Sequence, residues 1–497
     1  MTRKSIGLIS GPLLFLILLL LPMPEGINPA AMRVGAVTVL MATWWITEAI
    51  PIPATSLLPI VLFPLLGITD GSKVTQAYGN HLVFLFMGGF FIAVTIEKWS
   101  LHKRIALRTI RLIGVTPDRI ILGFMLATAF LSMFISNTAT TMLMVTIGMA
   151  VLQQTITKLE QQPDNNIDTR KGHFRFGTAL MLGIGYSSSI GGVATLIGTP
   201  PNAIFAGVVE QIYHRTISLV DWMKFALPLS ILMLLITWIY LTRFAFPGEM
   251  KQMPGGRETF DQEIAQLGPM SSQEKKVLMI LILVAVLWFV NGLVEIESLK
   301  FVNDSTIAIA CALLLFIIPS DFRKREFLLD WNTAVTIPWD ILILFGGGFA
   351  LALGFSESGL TKTVAEQLTV LKGTNLVIIV AGVATLVILL TEVTSNTATA
   401  SIVLPIMIAL SDAVRVHPYG LMITATIAAS FAFMLPVATP PNAIVFSTRY
   451  VTMPQMVKAG VWLYFIGMLL ITCFVIWVLP MVWGIDIATI PAGFSAG

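Results

Sequence analysis

Long apolar runs, most of them close to the length of a membrane-spanning helix, follow one another along almost the whole chain. A helix needs about 20 mainly apolar residues to cross a bilayer. The pattern predicts eleven crossings, at 6–22, 33–50, 52–68, 80–98, 174–212, 222–245, 275–293, 302–319, 338–356, 418–449 and 458–483. Two further apolar regions, 120–151 and 375–410, carry polar residues in their middles and need a separate explanation.

Composition agrees with a multi-pass membrane protein. The 497 residues are 56% hydrophobic and 11% charged, with a mean hydropathy of +0.86, whereas soluble proteins are about 25% charged. Arg3 and Lys4 precede an apolar run, but no small-residue cleavage site follows, so we expect a first membrane helix and not a signal peptide. Cys311 and Cys473 lie singly in apolar segments, which excludes a disulfide framework or a cysteine metal site.

The distribution of Lys and Arg predicts the orientation in the cell membrane. If the two interrupted regions do not cross, about three quarters of the 30 Lys and Arg fall on one side. The positive-inside rule then places the N-terminus in the cytoplasm and the C-terminus outside. The long polar segment 246–274 is predicted to be a cytoplasmic linker between two halves. We expect no nucleic-acid partner.

Two short motifs occur twice at the same spacing. FMGGFF (86–91) resembles FGGGFA (345–350), and SNTAT begins at 136 and again at 395, so both pairs are 259 positions apart. A shared offset of this kind predicts a duplicated unit. Five predicted crossings separate the SNTAT copies, and because this number is odd the two units are predicted to be inverted relative to each other.

A third motif pair completes the repeat. IGTPPNAIF (197–205) matches VATPPNAIV (437–445), at the smaller spacing of 240 positions. An extra polar loop at 153–172 in the first copy accounts for the difference.

The limbs before the two SNTAT copies, 121–135 and 376–390, are too short to cross. Each would extend about 22 Å as a helix, less than the hydrocarbon core of about 30 Å. We therefore predict that 120–151 and 375–410 are re-entrant helix–turn–helix hairpins, opening to the cytoplasm and to the outside respectively. Non-helical tips at this depth must be buried in protein or line a wet cavity.

The paired prolines in GTPPN (198–202) and ATPPN (438–442) predict breaks within the helices 174–212 and 418–449. A break frees carbonyl groups, which suit a small hard cation, and N–H groups at a helix start, which suit an anion. The alternative is that these polar residues only join helices. Because the hairpin motif and the break are both duplicated, we favour a binding site.

These motifs, together with WWITEAIP (44–51), resemble the divalent anion:sodium symporter family, which includes sodium/dicarboxylate and sodium/citrate cotransporters. The resemblance covers essentially the whole chain. It implies an all-α membrane protein that forms a homodimer, with a fixed scaffold domain and a mobile transport domain moving as an elevator. The implied division is 1–79 as N-terminal scaffold helices, 80–245 as the first inverted repeat, 246–274 as the linker, 275–337 as scaffold helices and 338–497 as the second inverted repeat.

The resemblance also implies the site residues. Substrate carboxylates would be bound by Ser136, Asn137, Thr138, Thr199, Ser395, Asn396, Thr397 and Thr439. A first sodium site would comprise Ser132, Ser136, Asn137 and the carbonyl of Gly198, and a second would comprise Thr391, Thr394, Asn396 and the carbonyl of Ala438. Ser132 and Thr391 each stand one helical turn before the SNT serine, which independently supports a ligand role.

Positions 140 and 396 bear on the coupling ion. Exchangers that resemble this chain carry an Arg or His there, whereas Thr140 and Asn396 are neutral. Because an unpaired dianion is costly at membrane depth, mobile cations are needed. We therefore predict inward, sodium-coupled symport of a small dicarboxylate such as succinate, malate or fumarate. The alternatives are a sodium-independent dicarboxylate exchanger, a sodium-coupled citrate or sulfate transporter, or a channel.

Several other polar residues have open roles. The intramembrane Glu392 is expected to tune a cation site or pair with a cation, and Glu48 to orient the break at Pro51. The basic run 98–119 predicts an amphipathic interfacial helix that either links the two domains or carries solvated charges. An intramembrane enzyme is the least favoured alternative, because the SNTAT hydroxyls have no His or Lys to activate them.

Overall fold

The computed structural model describes residues 2–22, 28–114, 116–162, 167–250, 252–254, 256–294, 301–321, 323, 325–491 and 494. Nearly all regular structure in these ranges is helical. The first half contains α1 (Arg3–Leu20), α2 (Pro29–Thr47), α3 (Ile52–Thr55), α4 (Leu58–Leu65), α5 (Gly71–Tyr78), α6 (His81–Lys98), α7 (Leu101–Ile113), α8 (Pro117–Ser132), α9 (Asn137–Glu160), α10 (Arg175–Val193), α11 (Pro200–Tyr213) and α12 (Leu219–Ile239), which continues as a π-helix (Tyr240–Ala245).

The second half is also helical apart from one pair of short antiparallel strands, β1 (Pro319–Asp321) and β2 (Glu326–Phe327). Its helices are α13 (Gly256–Gln266), α14 (Ser272–Leu293), α15 (Asp304–Ile317), α16 (Trp331–Ala334), α17 (Trp339–Ser358), α18 (Leu360–Leu368), α19 (Leu376–Thr391), α20 (Asn396–Val414), α21 (Pro418–Ala428), α22 (Pro440–Ser447), α23 (Met453–Cys473) and α24 (Leu479–Trp483), with a 3₁₀ turn (Thr369–Leu371) and a π-helix (Phe474–Val478) between them. The prediction of an all-α membrane protein is confirmed.

Within the described ranges, nine helices are long and apolar enough to cross a membrane. The number is ten if Leu360–Leu371 and Leu376–Thr391, bent by 118°, are counted as one span. Breaks divide the predicted crossings at 52–68, 174–212 and 418–449 into shorter helices, so the count depends on how these are grouped. The figure of eleven crossings therefore stays a prediction.

Both interrupted regions fold as two helices joined by a short turn. In the first copy α8 ends at Ser132 and α9 begins at Asn137; in the second α19 ends at Thr391 and α20 begins at Asn396. Each copy has the same preceding order. A helix carrying the glycine motif, α6 or α17, is followed by a short amphipathic helix, α7 or α18. The short helix α7 packs on α8, and α18 packs on α20.

The two broken helices lie at the centre of the protein. Every residue of α10 from Phe176 to Val193 is buried, and so is every residue of α21. Helix α10 packs on α8 and α9 of its own copy and on α22 of the other copy, while α11 packs on α20. The hairpins and breaks of the two repeats are therefore interleaved.

The polar segment predicted as a linker contains the helix α13. Its Phe260 is 1% exposed and lies with its ring centroid 6.4 Å from that of Phe124 in α8. The segment thus packs against helix α8 of the first hairpin. Sequence patterning gave no sign of this helix, because a single buried aromatic in eleven residues leaves little periodicity.

One charged residue of the predicted interfacial helix is buried. Arg104 in α7 is 3% exposed and forms a bidentate pair with Glu274, at 2.7 Å and 3.1 Å, and it also donates to the carbonyls of Leu267 and Gly268. These contacts tie α7 to the start of α14. Because the bidentate geometry and the extra acceptors use most of the guanidinium donors, this pair compensates its own burial.

We predict that Arg104→Ala lowers the free energy of unfolding by about 3–5 kcal/mol, because it leaves the Glu274 carboxylate buried without its partner. Its neighbour Lys103 forms a half-exposed pair with Glu263 at 3.3 Å, so Lys103→Ala should cost about 0.5 kcal/mol. Chemical unfolding of both variants in the same detergent provides the comparison. Equal losses in the two variants would contradict this account.

Candidate functional site

The serine of each SNT motif caps a helix. Ser136 Oγ accepts from the backbone N–H of Ala139 at 3.2 Å, and Ser395 Oγ accepts from that of Ala398 at 3.1 Å. Serine is among the preferred N-cap residues. Asn137 and Asn396 are then the first residues of α9 and α20, and Thr138 and Thr397 follow in the same first turns. The motif therefore places small polar groups at two helix N-termini.

A cluster of oxygen atoms lies at the first tip. Ser132 Oγ donates to the Ser188 carbonyl oxygen at 2.7 Å. One terminal amide atom of Asn137 lies 2.5 Å from Ser132 Oγ, 3.1 Å from the Ser188 carbonyl oxygen and 3.3 Å from the Gly198 carbonyl oxygen. Three of the four residues predicted for the first sodium site are thus brought together. Ser136, the fourth, directs its hydroxyl to its capping bond.

The donor set of this cluster fits a small hard cation. The amide atom of Asn137 that faces the cluster can be either the nitrogen or the oxygen. As nitrogen it donates to the surrounding oxygens. As oxygen it stands beside two carbonyl oxygens and a hydroxyl, an arrangement that needs a cation to offset the repulsion. Rotation of one amide thus converts a hydrogen-bonded cluster into an all-oxygen ligand set.

Gly192 allows the chain to close around this cluster. A Cβ atom at position 192 would lie 2.6 Å from Asn137 Oδ1 and 2.9 Å from the Gly198 carbonyl oxygen, closer than non-bonded atoms approach. The equivalent position in the second repeat, at the spacing of 240, is Ala432. The first cluster therefore depends on a glycine that the second does not use.

The second tip repeats part of this arrangement. Thr391 Oγ1 is fully buried and lies 2.7 Å from Asn396 Oδ1 and 2.8 Å from the Ala429 carbonyl oxygen. The carbonyl that reaches the pair is thus that of Ala429, just after the end of α21, whereas the carbonyl of Ser188 in the first copy lies within α10. The contacts of the described residues do not include one between Asn396 and the predicted Ala438 carbonyl.

Thr394 is engaged elsewhere. Its hydroxyl lies 2.9 Å from the Leu390 carbonyl oxygen and 2.5 Å from Thr399 Oγ1. The hydroxyl that was expected to bind sodium therefore has two protein partners, and only the Thr394 carbonyl remains as a candidate ligand. The corresponding position in the first copy is Ile135, and there the hydroxyl of Thr140 is buried without a partner in the described contacts.

The asparagine of each TPPN motif bridges its break. Asn202 Nδ2 donates to the carbonyls of Val193 at 3.1 Å and Thr195 at 2.8 Å. Asn442 Nδ2 donates to those of Ala432 and Leu435, both at 3.0 Å. These carbonyls lie at the end of the preceding helix or in the break, where helical partners are missing. Both asparagines are fully buried. Our choice of site residues from the sequence omitted them, although their repetition in the quoted motif was a usable signal.

Glu392 has a defined role in the second break. Its carboxylate accepts from the backbone N–H groups of Phe433, Met434 and Leu435 at 2.7, 2.8 and 2.9 Å. It is 3% exposed. The expected pairing with a cationic side chain does not occur among the described residues, and backbone dipoles stabilise the charge instead. Glu392 therefore joins the tip of the second hairpin to the second break.

The first repeat makes the same connection with different chemistry. Met133 occupies the position equivalent to Glu392, and its carbonyl accepts from Thr195 Oγ1 at 2.7 Å. Thr195 is in turn equivalent to Leu435 at the spacing of 240. Both hairpin tips are thus hydrogen-bonded to the break of their own repeat, but only in the second repeat is the bonding side chain negatively charged.

The threonines of the breaks begin the helices that follow. Thr199 is the N-cap of α11 and Thr439 the N-cap of α22, each with proline in the first turn. Thr439 Oγ1 accepts from the Asn442 N–H at 3.2 Å, whereas Thr199 makes no such capping bond. Together with α9 and α20, four helices begin at the motif residues, each presenting the positive end of its dipole.

Paired oxygen clusters at two hairpin tips, each hydrogen-bonded to a broken central helix, are typical of a membrane transporter. Residues 3–484 match the family described as the sodium:sulfate symporter transmembrane region, and the chain belongs to this family. Its membership confirms the resemblance to the divalent anion:sodium symporters and the interpretation as a transporter and not an enzyme.

Curated relatives extend over nearly the full chain. A protein of Staphylococcus aureus named sodium-dependent dicarboxylate transporter SdcS is 47% identical over 489 residues, covering 98% of this chain and 93% of its own. The protein of the same name from Staphylococcus saprophyticus is 44% identical over 489 residues, covering 97% and 93%.

Solved structures share the fold at low identity. MtrF of Neisseria gonorrhoeae, described among antimetabolite efflux pumps, superposes with a TM-score of 0.59 at 10% identity, covering 96% of this chain and 95% of its own. The YdaH transporter of Alcanivorax borkumensis gives 0.57 at 14%, covering 89% and 98%.

We predict that Gly192→Ala raises the sodium concentration for half-maximal transport about tenfold, because the added methyl group displaces Asn137 or the Gly198 carbonyl. Gly382→Ala in α19 is the matched control, since its Cβ atom would meet nothing within 4 Å. Sodium titrations of initial uptake rates provide the measurement. An unchanged sodium dependence in Gly192→Ala would remove the first cluster from consideration as a cation site.

Proposed function

We propose that the protein is a sodium-coupled symporter that carries a small dicarboxylate, such as succinate, malate or fumarate, into the cell. The observation that carries this proposal is the pair of oxygen clusters at the hairpin tips, Ser132–Asn137–Gly198 and Thr391–Asn396, in a family whose close relatives bear a sodium-dependent dicarboxylate name. Citrate and sulfate remain alternative substrates, since the same hydroxyls, amides and helix starts suit any small dianion.

Two sodium ions would neutralise the dianion. Thr140 and Asn396 are uncharged, so these two motif positions contribute no positive charge. Glu392 adds a negative charge beside the second tip. A dianion at this depth without cations would be strongly disfavoured. Binding of sodium to the two clusters, with Thr394 and Ala438 as candidate additional ligands in the second, would offset this cost and link the two fluxes.

The carboxylates of the substrate would be bound by the SNT residues and by the starts of the broken helices. Ser136, Thr138, Ser395 and Thr397 lie at or next to helix N-termini, as do Thr199 and Thr439. Free N–H groups and positive dipole ends at these points favour anions.

Alternating access would follow from movement of the hairpins and broken helices as one body. The residues involved lie in 80–245 and 338–497, with 1–79 and 275–337 as the scaffold of a homodimer. The short helices α7 and α18 stand between the glycine-motif helices and the hairpins, where an arm connecting fixed and moving parts is needed. The N-terminus would be cytoplasmic and the C-terminus outside.

An exchanger is the main functional alternative. It would carry one dicarboxylate out for each one carried in and would not need sodium. The neutral residues at positions 140 and 396 disfavour it, because neither position supplies a fixed positive charge that could replace sodium in offsetting the charge of the dianion.

Radiolabelled succinate uptake into proteoliposomes loaded with buffer alone tests the proposal. We expect uptake that requires an inward sodium gradient and is absent with matched potassium or choline. Uptake only after preloading with unlabelled dicarboxylate, indifferent to sodium, would establish exchange. If succinate is not transported, the same assay with citrate and sulfate identifies the anion.

In the same assay we predict that Asn137→Ala and Asn396→Ala each reduce uptake at least about tenfold, since each removes the amide at the centre of one cluster. The control is Asn375→Ser, which keeps the capping group at the exposed start of α19, away from the tip. Normal uptake by both alanine variants would refute the assignment of the site.

A further inference from the structure

Arg3 joins the first helix of the chain to the tip of the second hairpin. Its Nη2 donates to the carbonyl oxygen of Val393 at 2.6 Å and also to that of Ile46. The three residues lie in α1, in the turn between α19 and α20, and in the last turn of α2. One side chain thus bridges elements that are 43 and 390 positions away in sequence.

Both acceptors are carbonyls that secondary structure leaves without partners. Ile46 is one of the last four residues of α2, whose carbonyls have no helical donor. Val393 lies in the turn between two helices. A guanidinium is suited to this task because its several donors are held in a fixed plane and its charge is favourable at a helix C-terminus.

The elements that Arg3 joins have different surroundings. Helix α1 is fastened to α2, where Trp44 Nε1 donates to the Gly7 carbonyl at 3.1 Å. Val393 lies between Glu392, which holds the second break, and Thr394, which precedes the SNT serine. A restraint on the Val393 carbonyl therefore also restrains Glu392 and Thr394, which lie next to the second cluster.

We propose that Arg3 is a positioning residue for the second ion and substrate site. In the conformation of this structure, in which α1 and α2 of the scaffold contact the second hairpin, it holds the turn at 392–395 against the end of α2, so that Thr391, Asn396 and the Glu392 carboxylate keep their geometry before sodium binds. It does not touch the predicted ligands. This proposal rests on the proposed function for its transport readout, and on the Arg3 contacts alone for its structural readout.

The chain offers a matched control. Lys4 follows Arg3 in the same turn and carries the same charge, but makes none of the bonds described for Arg3. We expect Arg3→Ala to raise the sodium concentration for half-maximal uptake about fivefold, with a maximal rate within about twofold, because sodium must then order the turn as well as bind. Arg3→Lys should restore part of the loss, since an ammonium can reach one carbonyl but lacks the planar fork. Lys4→Ala should match the wild type.

A second readout does not depend on transport. In the background Cys311→Ala and Cys473→Ala, Val393→Cys introduces a thiol at the tip while leaving the carbonyl that Arg3 binds. We expect Arg3→Ala to speed the reaction of this thiol with a maleimide several-fold in purified full-length protein, and Lys4→Ala to leave the rate unchanged.

The outcomes separate the two proposals. If wild-type protein shows no sodium-dependent anion uptake, the proposed function fails, and the labelling rates alone decide the role of Arg3. If Arg3→Ala labels at the wild-type rate, or if Lys4→Ala changes either readout as much as Arg3→Ala does, Arg3 is not a positioning residue. A fall in maximal rate with unchanged sodium dependence would also overturn the proposal.

Discussion

The pairing of backbone groups released by the two helix breaks is the constraint on which the rest of the structure depends. At membrane depth no bulk water satisfies free N–H and C=O groups. Asn202 and Asn442 donate hydrogen bonds to carbonyls in the breaks, and Glu392 accepts from three N–H groups in the second break. The carbonyls of Gly198 and Ala429, together with that of Ser188 within α10, face the tips, where they contribute to the oxygen clusters.

The two halves satisfy this constraint unequally. In the first half, Gly192 allows close approach to Asn137, and Thr195 donates a hydrogen bond to the Met133 carbonyl. The second half has an alanine at the equivalent position, hydrogen bonds from the break to the charged Glu392, and an additional pair of hydroxyls, Thr394 and Thr399, at the tip. Two cation sites built on these tips would differ in local charge and in space.

Much of this architecture could be predicted from the sequence because the relevant signals are local or repeated. The SNTAT and TPPN motifs marked both hairpins and both breaks. The spacing of Ser132 and Thr391 from the motif placed them one helical turn below the tips, where the structure shows that they contact Asn137 and Asn396. Backbone ligands were harder to predict. No residue type marks a carbonyl such as that of Ser188 or Ala429, and the threonine side chain at 394 suggested a ligand where the structure shows a hydroxyl with other partners. The helix α13 and the bridge from Arg3 depend on tertiary contacts between distant segments, which no local pattern encodes.

The most direct test of this account is a cryo-EM structure of the protein with sodium and succinate, compared with one in potassium alone. The account predicts density for one ion among Ser132, Asn137 and the Gly198 carbonyl, and for another beside Thr391 and Asn396, with the dicarboxylate between the two tips. It also predicts that both ion densities are lost in potassium. Succinate bound away from the SNT residues, or ion density at neither cluster, would contradict it.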